Sequence, residues 1–182
     1  MGGRGATSLT ASMAMVGMDI DKAMHNTNPD YNKGLEYQLN CQRCVYAYEM
    51  NRRGERCVAK PRILKGTDDY MSEWPKTMVG QTWKRIGSKS KNKVVTNIES
   101  EMKSYGDGSR AIVMVAWKKG RAGHVFNVEN VKGKIRYVDA QVGYEPDIAK
   151  TLAKAKPTKT FISRVDNLTP NQVLLDKAIK RR

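Results

Sequence analysis

The run Gly123-His124-Val125-Phe126-Asn127-Val128, answered by Tyr137-Val138-Asp139-Ala140-Gln141, constrains this chain more than any other feature. Lys132-Gly133 lies between the two runs. A two-residue connection between strand-forming segments predicts a β-hairpin, with Gly133 supplying positive φ. Pairing Val131 with Lys134 sets His124 opposite Gln141 and Phe126 opposite Asp139. All four then share one face of the ribbon. His124 and Asp139 become diagonal neighbours about 7–8 Å apart at Cα, within reach of a His–carboxylate hydrogen bond. A slip of one residue sends them to opposite faces. Register therefore decides whether ring and acid meet.

A helix is predicted over Cys41 to Arg53. Asn40 is a favourable N-cap, and Gly54 sits where a C′ glycine ends a helix. Cys41, Cys44, Val45 and Tyr48 recur on its inward face. Arg43, Glu49, Asn51, Arg52 and Arg53 read as its wet side. A thiol in the first helical turn has its thiolate favoured by the dipole and by free N–H groups. A neighbouring imidazole can take the thiol proton, and a third group fixes the ring. Cys41, His124 and Asp139 are the catalytic candidates for these roles. The N–H of Cys41, with Gln38 or Asn40, is the candidate oxyanion-stabilising set. Gly123 would leave room for substrate backbone beside the histidine.

Three cysteines, with no apolar leader at the N-terminus, argue against a disulfide framework. Cys57 alone reads as a small buried hydrophobe. Cys41, Cys44, Cys57 and a histidine have the residue types of a zinc site, yet no second CxxC or CxxH accompanies Cys41-Gln42-Arg43-Cys44. A thioredoxin-like pair expects a preceding strand, whereas the residues before Cys41 are polar and turn-like. No metal and no cofactor is expected. His25 reads as solvated.

The 182 residues fit one domain with a tail at each end. No apolar run approaches the roughly 20 residues of a membrane span, so no membrane partner is expected. The formal charge of +15 can serve phosphate backbones or acidic protein surfaces. Its clusters, such as Lys89-Ser90-Lys91-Asn92-Lys93 and Lys118-Lys119-Gly120-Arg121, interleave no aromatics, which disfavours specific nucleic-acid recognition. Residues 1–35 read as a flexible Met/Gly-rich arm, with a short helix over Ser8 to Met24 as the competing reading. Residues 36–166 form the domain proper. Residues 167–182 read as a basic C-terminal helix opened by Thr169-Pro170 and running to Lys180. Within the domain, Cys57–Ala59 and Lys159–Val165 read as strands. Lys93–Tyr105 reads as a helix, with Val95, Ile98, Met102 and Tyr105 on one stripe and Gly106 ending it. Ala111–Trp117 reads as a central strand buried on both faces. The fold class is α+β.

Asn40-Cys41-Gln42-Arg43-Cys44-Val45-Tyr46-Ala47-Tyr48-Glu49-Met50-Asn51-Arg52-Arg53-Gly54, followed by the two hairpin runs, resembles the papain-fold toxin domains. These are the glutamine-deamidase-like members of the papain superfamily, and the resemblance covers about residues 36–166. It implies a papain-like fold in which an N-terminal nucleophile helix packs on an antiparallel sheet carrying His124 and Asp139. It also implies a cysteine-dependent amide-processing enzyme acting on protein glutamine. Such domains occur in bacterial toxins and effectors and on phage head proteins. The expected setting is therefore the bacterial host cytoplasm or a phage virion, with head, capsid or portal proteins as partners of the arm. Two assignments stay open. Gln38 stands six residues before Cys44, the spacing papain-like proteases use for an oxyanion glutamine, so Cys44 rivals Cys41. Gln141 rivals Asp139 for orienting the ring. Peptide hydrolysis and transamidation would use the same residues. A competing class is a non-catalytic basic virion protein that uses the domain as a binding module.

Overall fold

The computed structural model describes residues 17–182. Residues 1–16 of the expected arm, and with them the first half of the Ser8–Met24 helix, lie outside the described residues. Beyond Gly17 the chain is not an arm. Helix α1 (Ile20–Thr27) starts where the Asp19 side chain accepts from the Lys22 N–H. It buries Ile20, Ala23 and Met24 against Tyr48, Val138 and Ala140. The domain boundary at residue 35 is corrected accordingly. Apolar side chains at i, i+3 and i+4 make a one-sided stripe, which the Met- and Asn-rich composition disguised.

A 3-10 turn (Tyr31–Lys33) and α2 (Leu35–Gln38) lead into α3 (Cys41–Arg52), which ends before Gly54 at φ 100°. The supposed wet side of α3 is mostly buried: Arg43, Glu49 and Asn51 all lie inside. Packing surrounds the helix, and each of these polar groups finds a partner there. Arg43 meets Asp68 at 2.8 Å, and Glu49 meets Arg53 and Arg110, each at 2.7 Å. The Asn51 amide both donates to Cys57 O and accepts from Cys57 N at 3.0 Å. Buried charges persist when such partners replace the lost water.

Strand β1 (Cys57–Ala59) is followed by α4 (Tyr70–Glu73), a 3-10 turn (Trp74–Lys76) and β2 (Lys84–Arg85). Helix α5 (Lys91–Tyr105) is capped by Ser90 and ended by Gly106 at φ 93°. Its fully buried stripe is Val94, Ile98 and Met102, with Val95 and Tyr105 only partly covered. Burying each of these large side chains stabilises the fold by about 2 kcal/mol. Then come β3 (Arg110–Trp117), β4 (Gly123–Val131), β5 (Lys134–Val138), α6 (Ile148–Lys154) and β6 (Ala155–Arg164). The five long-range strands form one antiparallel sheet in the order β2-β6-β3-β4-β5. The architecture is α+β with antiparallel sheets. Central β3 divides its side chains as expected. Ile112 joins the α3 cluster, and Ala111, Val113 and Val115 join the α5 cluster.

The chain end departs from the expected single helix through Lys180. Helix α7 (Gln172–Ala178) stops where β7 (Ile179–Arg181) pairs antiparallel with β1. Leu174, Leu175, Ala178 and Ile179 are buried in the α3 cluster, so residues 167–182 are part of the body rather than an appended helix.

In the hairpin, Lys132 (φ 52°) and Gly133 (φ 86°) both take left-handed backbone, the signature of a type I′ turn. Pairing runs from Val131↔Lys134 to Asn127↔Val138, in the expected register. There it stops. Asp139 N donates to Tyr144 O at 3.1 Å and Gly143 N to Asp139 O at 2.8 Å, which curls the chain away from β4. His124 therefore does not face Gln141; it pairs with Val115 of β3.

Candidate active site

Three elements converge at the first turn of α3. The backbone oxygen of Asn40 accepts from the N–H groups of Arg43 (2.8 Å) and Cys44 (3.1 Å), which opens the helix one residue before Cys41. The Asn40 side chain does not cap it. Instead it enters a buried amide knot, donating to Asn28 Oδ1 and to Lys60 O, each at 3.1 Å. Asn28 in turn donates to Tyr37 O at 2.9 Å and to Gln141 O at 2.8 Å, and Gln141 Nε2 donates to Asn40 Oδ1 at 3.4 Å. This knot ties the chain after α1, the start of α3 and the 139–141 turn to one another. It sets the relative positions of Cys41 and Asp139.

His124 Nε2 lies 2.6 Å from Asp139 Oδ2. The other carboxylate oxygen, Oδ1, accepts from Gln141 N at 3.2 Å, which steadies the acid. Cys41 borders the same cleft as the ring, close enough to act on the ring's proton affinity. Burial alone would lower the ring's proton affinity. The hydrogen bond the ring makes to Asp139, the proximity of Cys41 and the charges of both outweigh it and raise the His124 pKa to about 10. The ring thus carries its proton at neutral pH. Trp117 stacks on it at 5.8 Å between centroids and 13° between planes, and Phe126 lies on the ring 6.2 Å away.

The two open assignments meet different surroundings. Cys44 is 1% exposed and donates its thiol to Asn40 Oδ1 at 3.3 Å. Burial, with the charges of Cys41 and Asp139, pushes the Cys44 thiol well above its ordinary range. Gln141 bonds Asn40 and not the ring. Cys57 is buried elsewhere, its thiol near Ala47 O, and burial drives its pKa up to about 12. Among the described residues, no group of three or more His, Cys, Asp or Glu is placed to hold a metal ion. Exposed His25 lies on α1. A Cβ at Gly123 would collide with the Val115 carbonyl oxygen, so the glycine admits strand β3, and it also lines the cleft beside His124.

Cys41, His124 and Asp139 border a cleft of about 900 Å³, which Gln38, Trp117 and Tyr144 also line. Gln38, one of the lining residues, sends one amide hydrogen to Tyr31 O at 3.2 Å. A smaller hollow of about 270 Å³ lies across His124, walled by Trp74, Met114, Val125 and Phe161. Two positions escaped the sequence reading. Asn28 falls within the segment read as a flexible arm, and its partners lie up to 113 residues away. Trp117 ends an apolar strand, where its pairing with a histidine across the Lys118–Ala122 loop leaves no periodic signal.

A family described as papain fold toxin 1, glutamine deamidase, matches residues 39–144, more than half of the chain. The matched segment contains Cys41, His124 and Asp139. No curated protein and no solved structure matches the chain.

Proposed function

The chain belongs to the papain fold toxin 1, glutamine deamidase family, and from that premise we propose that it deaminates the side-chain carboxamide of protein glutamine through a Cys41–His124–Asp139 triad. In this reading, Cys41, its proton held on His124, attacks the carboxamide carbon as the thiolate. The N–H of Cys41, in a first turn whose donors lack helical partners, and the Gln38 amide stabilise the oxyanion. The imidazolium of His124 protonates the departing ammonia, leaving a thioester. Neutral His124 then takes a proton from water, which attacks the thioester, releases glutamate and restores the Cys41 thiolate beside the protonated ring. Asp139 holds the ring's orientation and charge throughout.

The observation that carries this reading is the 2.6 Å contact of Asp139 with the His124 ring in a cleft that Cys41 also lines, with the ring held protonated. Cys41 is favoured over Cys44 because the latter's thiol is buried and spent on Asn40. Asp139 is favoured over Gln141 because it touches the ring. No metal or cofactor enters any step. The setting proposed is a bacterial toxin or a phage-borne effector, in keeping with the toxin family. The test is a proteome-wide mass comparison of cells expressing wild type or Cys41→Ser. Glutamine-to-glutamate conversions confined to wild type are expected. Identical proteomes contradict the deamidase reading and favour the binding-module alternative.

A further inference from the structure

The rim of the cleft differs from its floor. The floor carries Asp139, whose carboxylate is committed to His124 and to Gln141 N. The rim carries cations from three separate elements: Arg62 from the segment after β1, Arg121 from the β3–β4 loop, and Lys150 with Lys154 one turn apart on α6. Arg62, Arg121 and Lys154 form no ion pair among the described residues. The other carboxylate lining the cleft, Asp147, caps α6 by accepting from Lys150 N at 3.1 Å and lies 3.8 Å from Lys150 Nζ. The Arg121 loop and the end of α6 are fastened together. Lys118 N donates to Lys154 O at 2.9 Å, and Lys118 Nζ donates to Ala153 O at 2.7 Å. The positive groups thus sit on a braced rim, and a cleft lined mainly by one sign of charge focuses their field on whatever enters.

We infer that this cleft selects glutamines flanked by aspartate or glutamate, with Arg121 and Lys154 as the specificity-determining cations. The inference rests on the amide-processing reading of Cys41 and His124 and names the substrate class for that site. A protein segment fits better than a nucleic acid. The centre the cations surround acts on carboxamides, and the Trp117 ring is already stacked on His124 rather than offered to a base. Rim charges act mainly on capture and on its salt dependence.

The test separates binding from turnover. Fluorescein-labelled peptides with one central glutamine, flanked by Asp/Glu, by Ser/Asn or by Lys, are titrated against full-length Cys41→Ser protein by fluorescence anisotropy. A single-stranded oligonucleotide of equal charge to the acidic peptide is titrated alongside. The acidic peptide is expected to bind about tenfold more tightly than the neutral one and the basic one more weakly still, the spread narrowing as salt shortens the Debye length. Adding Arg121→Glu with Lys154→Glu is expected to remove that preference. Lys89→Glu with Lys91→Glu, an equal charge change at the exposed start of α5, is expected to alter it less than about twofold. Equal binding of the three peptides overturns the inference. So does an equal loss in the two double variants, which would assign the effect to bulk charge, and so does tighter binding of the oligonucleotide. Turnover of the peptides by wild type, read as a one-dalton gain, judges the amidase reading separately. Acidic preference without turnover would sink that reading and leave the cleft's selectivity standing.

Discussion

The two ends of α3 use the same chemical alphabet to opposite ends. At the C-terminal half, Glu49 lies fully buried, and both of its oxygens are taken: Oε1 accepts from Arg53 Nε (2.7 Å) and Arg110 Nη2 (2.9 Å), Oε2 from Arg110 Nε (2.7 Å). Glu129 is filled likewise by Tyr48 (2.5 Å) and Arg52 (2.7 and 3.0 Å). At the N-terminal end, Asp139 engages one ring nitrogen, and the ring's other side and the thiol border open space. Saturated ion pairs hold geometry and have nothing left to give. A charged ring beside a thiol at a cleft keeps a proton it can hand over. Buried charge marks chemistry when its hydrogen-bonding capacity is left incomplete where a substrate can reach it.

That contrast is broken most directly by removing the acid at the open end. Asp139→Asn is expected to lower deamidation about 10³-fold, since it loosens and discharges His124, and a positioned general acid contributes about 10²–10⁴-fold. The same change is expected to move the ring's titration from about 10 toward its ordinary range. The chain has two histidines, so NMR of the ring protons, with His25→Asn to leave a single signal, reads this shift without ambiguity. The closed end should respond in stability instead. Glu49→Gln leaves Arg110 and Arg53 short of a countercharge, and urea denaturation should record a loss of about 3 kcal/mol, with activity per folded molecule retained. The pH dependence of stability has a definite sign. A folded ring that holds its proton to about pH 10, against about 6.5 when unfolded, contributes fully below 6.5. That contribution drains away as pH rises to 10. Urea midpoints should fall across that window in wild type and fall less in His124→Ala. The smallest effect belongs to Cys44→Ala. It removes a thiol donor to Asn40 and should cost about 1 kcal/mol, with turnover changed less than about threefold. A loss as large as that of Cys41→Ser would exchange the two cysteines' roles.

The local features were legible in the sequence, and the distant ones were not. The Lys132-Gly133 turn, the α5 stripe with Gly106 behind it and the apolar β3 run each announce themselves within a few residues. The same signals placed Asp139 near His124, although β5 ends at Val138 and the carboxylate reaches the ring from a turn rather than a ladder. Glu49 reads as solvated because its partner Arg110 lies 61 residues on, and a charge whose partner is out of view defaults to water. Asn40 reads as a cap because capping is local, whereas its side chain serves contacts with Asn28, Lys60 and Gln141. Ile179 ends a helix pattern and begins a strand only because Ala59 lies beside it.

For the triad to operate, one sulfur must differ from the other two. Wild-type protein can be treated with a peptide whose glutamine side chain carries a chloromethyl ketone in place of the amide, and the adduct mapped by mass spectrometry. The prediction is one adduct, on Cys41, lost in His124→Ala and retained in Cys44→Ala. Labelling of Cys44 or Cys57, or labelling of Cys41 that His124→Ala leaves unchanged, contradicts the triad.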